Sequence, residues 1–297
     1  YANRIVPFGK DTVLEPARKS TGTRDKKGIL VNNDPVLSFT EEENKKGREF
    51  LGDVGCGQNR FVCLLVRDDA YLEASNPFRG WSYHDYRDSD VADFHDACVE
   101  LAEKGYWVFR MGKVVKKELD LQHARIIDYA TSGYRSDFLD IWLMANCHFC
   151  ISTGTGTDVV ASVFNRPVLY LNYLPPIDFV SYTNSITVYK MQKWTSTGCL
   201  LTLREQLFNS CFSVTDYEQK GIYNVDLTQT MIKDAVLEME ARLDGSWEEL
   251  PIDNWLNKTF WDIVRSTPEY SNYHEFIHPR AGYGTKFLRE NYDWFFQ

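Results

Sequence analysis

The fold is decided by residues 135–172, which read RSDFLDIWLMANCHFCISTGTGTDVVASVFNRPVLYLN. Ser136 is a helix N-cap residue, and the apolar side chains that follow it recur at helical spacing. Residues 148–152 and 167–171 have the length and apolar character of buried strands, and a helix is expected over 157–164. This order of helix, strand, loop, helix and strand predicts the βα units of a parallel sheet.

The same alternation extends toward the N-terminus and predicts an α/β fold with a doubly wound parallel sheet. The predicted strands are 61–66, 106–111, 124–128, 148–152 and 167–171. An amphipathic helix is expected over 91–104. After Pro176 the alternation fades, and the clearest later element is a helix over 228–243 that Asp226 caps and Gly245 ends.

Three regions of the chain differ in character. Residues 1–55 are polar and show no alternation, so we expect an N-terminal arm or the remnant of a second, acceptor-binding domain. Residues 56–245 form the predicted Rossmann-like domain. Residues 246–297 are rich in aromatic side chains and are expected to be helical segments that pack back on the core, with a glycine-containing turn at 278–284.

The loop after the fourth predicted strand is a candidate anion site. Its residues are Ser152, Thr153, Gly154, Thr155, Gly156 and Thr157. Such a loop at a helix N-terminus leaves backbone N–H groups and hydroxyls available to a phosphate. The alternative is a plain tight turn, since the glycine spacing matches neither common phosphate-binding fingerprint. The following Asp158 would repel a phosphate, so we expect it to hold the loop or a ribose hydroxyl.

Three arginines fall at or near the carboxyl ends of predicted strands. They are Arg67, Arg110 and Arg135. The carboxyl ends of parallel strands share one edge of the sheet, where ligands bind in α/β proteins. A guanidinium group meets two phosphate oxygens at once, which suits a diphosphate. The alternative for each arginine is a structural ion pair.

Composition excludes several classes of protein. The formal net charge of −9 argues against a nucleic-acid-binding protein, which needs a basic face. No apolar run is long enough to span a membrane, and we find no signal peptide. The seven cysteines are expected to be reduced thiols in a cytoplasmic protein.

No metal centre is predicted. Cys147 and Cys150 have no second pair at zinc spacing. Asp88-Ser89-Asp90 has the letters of a manganese-binding DxD motif, but it precedes a predicted helix, where aspartates act as caps.

The motifs RSDFLDIWL, ISTGTG and RPVLYLNYLP resemble a bacterial glycosyltransferase family of GT-B architecture that is associated with surface polysaccharides. The resemblance covers about 61–176 and extends more weakly to the C-terminus. The chain is more distantly similar to the fucosyltransferase superfamily, whose donor diphosphate is held by a His-x-Arg segment and a Ser/Thr-Gly loop. Arg67 matches that arginine, but Leu65 stands where the histidine would be and Asp68 follows directly.

The long loop over 67–89 is dense in polar and aromatic side chains, which is typical of a binding loop. A transfer to a hydroxyl group needs a general base within hydrogen-bond reach. We take Asp69, His84 and Asp85 as the candidates for that base, with Asp68 as a competitor.

The resemblance implies a glycosyltransferase that moves a hexosyl or fucosyl group from a nucleotide-sugar donor to a glycan or lipid-linked acceptor. We expect a metal-independent, inverting enzyme without a cofactor, cytoplasmic or peripheral at the inner membrane face. A GT-B enzyme has two Rossmann-like halves, so either a homo-oligomer or a further N-terminal domain is expected. The alternatives are a pyruvyl or glycerophosphate transferase of envelope polymers on the same fold, or a non-catalytic nucleotide- or sugar-binding module.

Overall fold

The computed structural model describes residues 24–78 and 80–297. In this part of the chain the strands are β1 (Phe61–Leu65), β2 (Trp107–Arg110), β3 (Ile126–Ile127), β4 (Phe149–Ser152), β5 (Val168–Tyr173), β6 (Ser185–Tyr189), β7 (Met191–Trp194), β8 (Ile222–Val225) and β9 (Gly282–Tyr283). The five strands predicted from the sequence are present, each within a few residues of its expected bounds.

The helices surround these strands. They are α1 (Glu41–Asp53), α2 (Ala70–Ser75), α3 (His95–Glu103), α4 (Asp137–Asn146), α5 (Asp158–Val163), α6 (Leu203–Phe208), α7 (Val214–Gln219), α8 (Gln229–Asp244), α9 (Pro251–Arg265), α10 (Tyr270–Tyr273) and α11 (Thr285–Phe295). Short 3-10 helices cover Ser82–Arg87, Val91–Phe94 and Pro176–Asp178.

Seven strands form one parallel sheet in the order β3-β2-β1-β4-β5-β6-β9. The first six follow the 3-2-1-4-5-6 order of a Rossmann-like, doubly wound sheet, which confirms the predicted fold class. After β1 the chain adds β2 and β3 on one side of the sheet, and after β4 it adds β5 and β6 on the other. Because parallel crossovers are right-handed, their helices lie on opposite faces of the sheet. β7 and β8 form a separate antiparallel ribbon.

Local signals placed several helix ends correctly. The Ser136 hydroxyl accepts a hydrogen bond from Leu139 N at 3.1 Å, as expected of an N-cap. Gly245 ends α8 in the left-handed conformation at φ 79°. The expected cap at Asp226 is wrong, because the Thr228 hydroxyl accepts the bond from Met231 N.

Other expectations need correction. The predicted helix over 91–104 is a 3-10 turn followed by the shorter α3. The alternation fades after Pro176 as predicted, but the parallel sheet does not end there, since β6 and β9 extend it. β6 is reached from β5 without an intervening long helix, and β9 is a two-residue strand inside the expected turn at 278–284. The β6 sequence SITVY alternates polar and apolar side chains, which is a strand signal, although no strand was predicted there. The two residues of β9 are too few to form a pattern.

The N- and C-terminal regions both pack on this sheet. Residues 1–23 of the predicted arm lie outside the described residues, but α1 packs against α4. The Phe50 ring lies 5.7 Å from that of Phe109 on β2 and 5.8 Å from that of Tyr129. At the other end of the chain, α9 and α11 pack on each other beside β9. No helix in the described part of the chain has the length and apolar character to cross a membrane.

The contact between α1 and α4 depends on a glycine. A Cβ atom at Gly47 would lie 2.1 Å from the Trp142 indole, whereas a Cβ at Gly52 would meet nothing within 4 Å. We expect Gly47→Ala to lower the free energy of unfolding by about 1–3 kcal/mol, because the indole must move in a packed core. Gly52→Ala on the same helix should raise it by about 0.4–1 kcal/mol. Urea denaturation of both variants measures the difference, and equal effects would contradict this packing.

Candidate functional site

The candidate site lies where β1 and β4 are neighbours, the point at which the strand order reverses. In doubly wound sheets ligands bind in the crevice at the carboxyl ends of these two strands. Here the two following loops are tied together. Arg67 N donates to the Thr153 hydroxyl at 2.8 Å, and Thr153 N donates to the Leu65 carbonyl at 3.1 Å. The β1–α2 loop and the 152–157 loop are therefore held against each other.

The 152–157 loop uses two of its N–H groups internally. Gly154 N donates to the Ser152 hydroxyl at 3.0 Å, and Thr155 N donates to the Asp158 carboxylate at 2.8 Å. The Ser152 hydroxyl also donates to Asp158 at 2.6 Å. Asp158 thus holds the loop, as expected. The Gly156 and Thr157 side of the loop is exposed to solvent.

Asp158 is a buried carboxyl group with polar partners. The residue is 4% exposed, and this burial raises its pKa to about 6. The hydrogen bonds from Ser152 and Thr155 and the charge of Arg87 lower the pKa and so limit the rise. Beside it, Gly154 is in the left-handed conformation at φ 82°, and a Cβ there would lie 3.1 Å from Tyr173 and 3.2 Å from Arg87. A glycine is therefore required at this position.

Two guanidinium groups meet at the crevice. Arg87 donates to the Gly154 carbonyl at 2.6 Å, and Arg67 Nε donates to Asp88 at 3.2 Å. Burial lowers the pKa of Arg67, and the positive charge of Arg87 lowers it further, while Asp88 opposes both effects. Arg67 was expected here from the sequence. Arg87 was not singled out, although it lies in the loop that was predicted to bind a ligand.

Three carboxylates converge beside these arginines. One oxygen each from Asp69, Asp85 and Asp88 lies within 4.8 Å of the others. Lys116 Nζ lies 2.5 Å from the Asp69 carboxylate. The sequence predicted Asp69 and Asp85 as candidate bases, and the structure brings them together. Asp88 was interpreted only as part of a capping motif, a role that Asp90 fills by accepting from Ala92 N at 2.9 Å.

Asp88 has the electrostatics of a base that works near neutral pH. Burial raises its pKa to about 6, with Asp69 and Asp85 adding to the rise and Arg67 and Lys190 opposing it. Burial and the charge of Asp69 also raise the pKa of Asp85. A general base is most effective when its pKa lies close to the working pH.

The segment that carries Asp88 is anchored by three strands. Ser89 N donates to the Arg67 carbonyl after β1 at 3.1 Å, and the Asn172 amide on β5 donates to the Ser89 hydroxyl at 3.2 Å. Lys190, which follows β6, donates to the Asp88 carbonyl and forms an ion pair with Asp226 at 2.6 Å. Asp88 is therefore held in place before any ligand arrives.

A cavity of about 350 Å³ opens next to the carboxylates. Its acidic lining is Asp68, Asp69, Asp88, Asp90 and Asp226, and its basic lining is Arg110, Lys116 and Lys117. Each of the three basic side chains already pairs with an aspartate. A ligand in this cavity therefore meets mainly hydrogen-bond acceptors, which suit hydroxyl groups.

The other predicted residues lie in different settings. Arg110 is 1% exposed and its guanidinium binds Asp128 at 3.2 Å and the Lys117 carbonyl at 2.9 Å. Arg135 binds Asp140 at 2.7 Å and also contacts Asp137, and it does not line the cavity. A phosphate role for either arginine stays a prediction.

His84 lies on the 3-10 helix Ser82–Arg87, with its ring centroid 3.9 Å from that of Tyr83. On the same helix the Tyr86 ring packs 5.3 Å from that of Tyr217 on α7. The aromatic residues thus attach this helix to the β7–β8 region. All seven cysteines are free, and six of them are buried.

Comparison of the chain with protein-family models, with curated proteins and with solved structures gave no match.

The setting of Asp158 has a consequence for stability. Because its folded-state pKa of about 6 exceeds the value of about 3.9 for an unfolded chain, the folded state binds the proton first. The free energy of unfolding should therefore rise as the pH falls from about 7 to about 4, by roughly 2–3 kcal/mol from this group. Asp158→Asn should lose that component. Chemical denaturation across this pH range, with the exposed Asp96→Asn as control, measures it. An unchanged pH dependence in Asp158→Asn would contradict the assignment.

Proposed function

We propose that this protein is a glycosyltransferase that moves a sugar from a nucleotide-sugar donor to an acceptor hydroxyl group. The observation that carries the proposal is the meeting of Arg67 and Arg87 with Asp69, Asp85 and Asp88 at the switch point of a Rossmann-like sheet. Paired guanidinium groups suit a diphosphate leaving group, and a carboxylate beside them suits a base. The resemblance to GT-B glycosyltransferases supports the same assignment.

On the donor side, the diphosphate would bind between the two arginines and the exposed part of the 152–157 loop. Arg67 keeps its terminal nitrogens available, since within the described residues the one hydrogen bond of its guanidinium is made by Nε. The hydroxyl group of the exposed Thr157 and the N–H of Gly156 complete the set of donors. Fixed donors of this kind stabilise the negative charge that develops on the leaving diphosphate.

On the acceptor side, Asp88 would accept the proton of the attacking hydroxyl group. At pH 7 a carboxyl group with a pKa of about 6 is mostly ionised, so it is ready to act as a base. The acceptor would occupy the adjoining cavity of about 350 Å³. The acceptor oxygen would bond to the anomeric carbon as the bond to the diphosphate breaks, and such a direct displacement inverts the configuration at that carbon.

The proposal does not need a metal ion. Lys116 and Arg67 pair with two of the three carboxylates, and Arg87 adds a further positive charge nearby. The guanidinium groups can then neutralise the diphosphate themselves. Transfer should persist in the presence of EDTA. Loss of transfer in EDTA with recovery in Mg²⁺ would instead assign a cation to the carboxylate cluster.

The first test is nucleotide binding. A thermal-shift screen with UDP, GDP, ADP, CDP and CMP should give one selective rise in melting temperature, on the order of 5 °C at a hundredfold excess over Kd. Arg67→Gln and Arg87→Gln should remove the shift, because each deletes a phosphate contact. Arg48→Gln on the exposed side of α1 is the matched control and should keep it.

The outcome separates the candidate functions. No shift with any nucleotide, or shifts that survive both substitutions, would contradict the donor site. A shift without transfer to any acceptor or to water would favour a non-catalytic binding module. Transfer of a pyruvyl or glycerophosphate group, in place of a sugar, would assign the same fold to one of those reactions.

The second test is the base. Asp88→Asn should lower the transfer rate by about 10²–10⁴-fold, because the amide cannot accept the proton, while nucleotide binding persists. The wild-type rate should rise with pH through about 6 as Asp88 ionises, and the variant should lack this rise. Asp96→Asn on α3 is the control. If Asp88→Asn keeps full activity and Asp85→Asn is inactive, the base is Asp85 and the assignment to Asp88 is wrong.

A further inference from the structure

A second and larger cavity lies on the side of the sheet where the strands begin, opposite their carboxyl ends. It has a volume of about 850 Å³ and is bordered by the amino ends of β6 and β9, the end of α8 and the start of α9. Asn184 lines it just before β6, whereas Lys190 after β6 belongs to the candidate active site. At about 3.3 Å per residue, the two sites are roughly 20 Å apart.

The walls of this cavity are rigid. Glu238 is 1% exposed and accepts hydrogen bonds from Thr285 N at 2.9 Å, from Lys286 N at 2.8 Å and from Arg242 Nε at 2.9 Å. The guanidinium groups of Arg242 and Arg289 each lie 4.7 Å from the Trp247 ring. The three hydrogen bonds hold the buried Glu238 carboxylate in one arrangement.

Most charged side chains of the lining are engaged in ion pairs. Its four carboxylates pair with three arginines: Glu238 and Glu249 share Arg242, Asp244 pairs with Arg60, and Asp253 pairs with Arg289. Within residues 24–78 and 80–297, Arg280 is the lining side chain that carries a charge and makes no ion pair. Its guanidinium is exposed at the rim.

Three amide side chains complete the polar lining. They belong to Asn184, Asn254 and Asn257, and within the described residues none of them makes a side-chain hydrogen bond. Each amide offers a donor and an acceptor, which is the pattern that sugar hydroxyl groups match. A nucleobase is disfavoured, because the arginines occupy the Trp247 ring and the Tyr283 side chain is buried.

We propose that this cavity is a second, non-catalytic binding site for a saccharide that carries a carboxylate or phosphate group. Arg280 binds the anionic group through charge-assisted hydrogen bonds, and the three asparagines bind hydroxyl groups. The volume accommodates more than one sugar ring. This site does not depend on the proposed transferase activity, since it shares no residue with the candidate active site.

Isothermal titration and ligand-observed NMR of the full chain would test the site with four probes: trigalacturonate, glucose 6-phosphate, neutral maltotriose and inorganic phosphate. We expect trigalacturonate or glucose 6-phosphate to bind. The probe with the higher affinity shows whether the site prefers a carboxylate or a phosphate group. Arg280→Gln should weaken that binding by at least about tenfold, the loss of one charge-assisted hydrogen bond. Asn257→Ala should weaken it as well.

The controls distinguish a built site from a general attraction of anions. Arg265→Gln removes an exposed arginine at the end of α9, outside the cavity, and should leave binding unchanged. Asp88→Asn should also leave it unchanged, which separates this site from the catalytic one. Equal weakening by Arg265→Gln, or binding of inorganic phosphate as tight as that of the acidic sugars, would overturn the proposal. So would maltotriose binding that Arg280→Gln does not alter, or no binding of any probe at millimolar concentration.

Discussion

The pairing of β1 with β4 is the constraint on which the site depends. It places Leu65 beside Ser152 in register, so the loops that follow the two strands begin side by side. Without this pairing the hydrogen bond from Arg67 N to the Thr153 hydroxyl could not form, and the two loops would not enclose a crevice. Strands β5 and β6 then anchor the Asp88 segment from the other side through Asn172 and Lys190.

Burial and mixed charge together define the chemistry of this crevice. Asp88 and Asp158 both have pKa values raised to about 6 by burial, yet their partners differ. Asp158 accepts bonds from the loop and is a structural group, whereas Asp88 borders a cavity and faces Arg67. Burial of a carboxyl group therefore accompanies a structural role at Asp158 and a candidate base at Asp88. In the larger cavity the other charged lining residues are all ion-paired, and within the part of the chain that the structure describes Arg280 alone among them makes no ion pair.

Much of the candidate site could be predicted because its residues follow strands. Arg67 and the 152–157 loop were identified from their places at strand ends, and Asp69 and Asp85 from their place in the polar and aromatic 67–89 loop. The structure brings them to one edge. The part that could not be predicted is contact through space. Asp88 was interpreted from its immediate neighbours as a cap, since its partners Arg67, Asp69 and Lys190 are distant along the chain. The contact between the 152–157 loop and Asp158, by contrast, was expected, because this carboxylate directly follows the loop in the chain.

The sequence by itself determined the βα alternation, most strand positions and the helix caps at Ser136 and Gly245, because periodicity and capping act between residues that are close along the chain. The tertiary structure alone decided that β6 and β9 extend the sheet, that α1 packs on α4, and which charges are paired. These features depend on long-range pairing and on burial. Both arise only when segments that are distant along the chain come into contact. Burial and pairing then determine whether a carboxylate or an arginine supports the fold or remains available to a ligand.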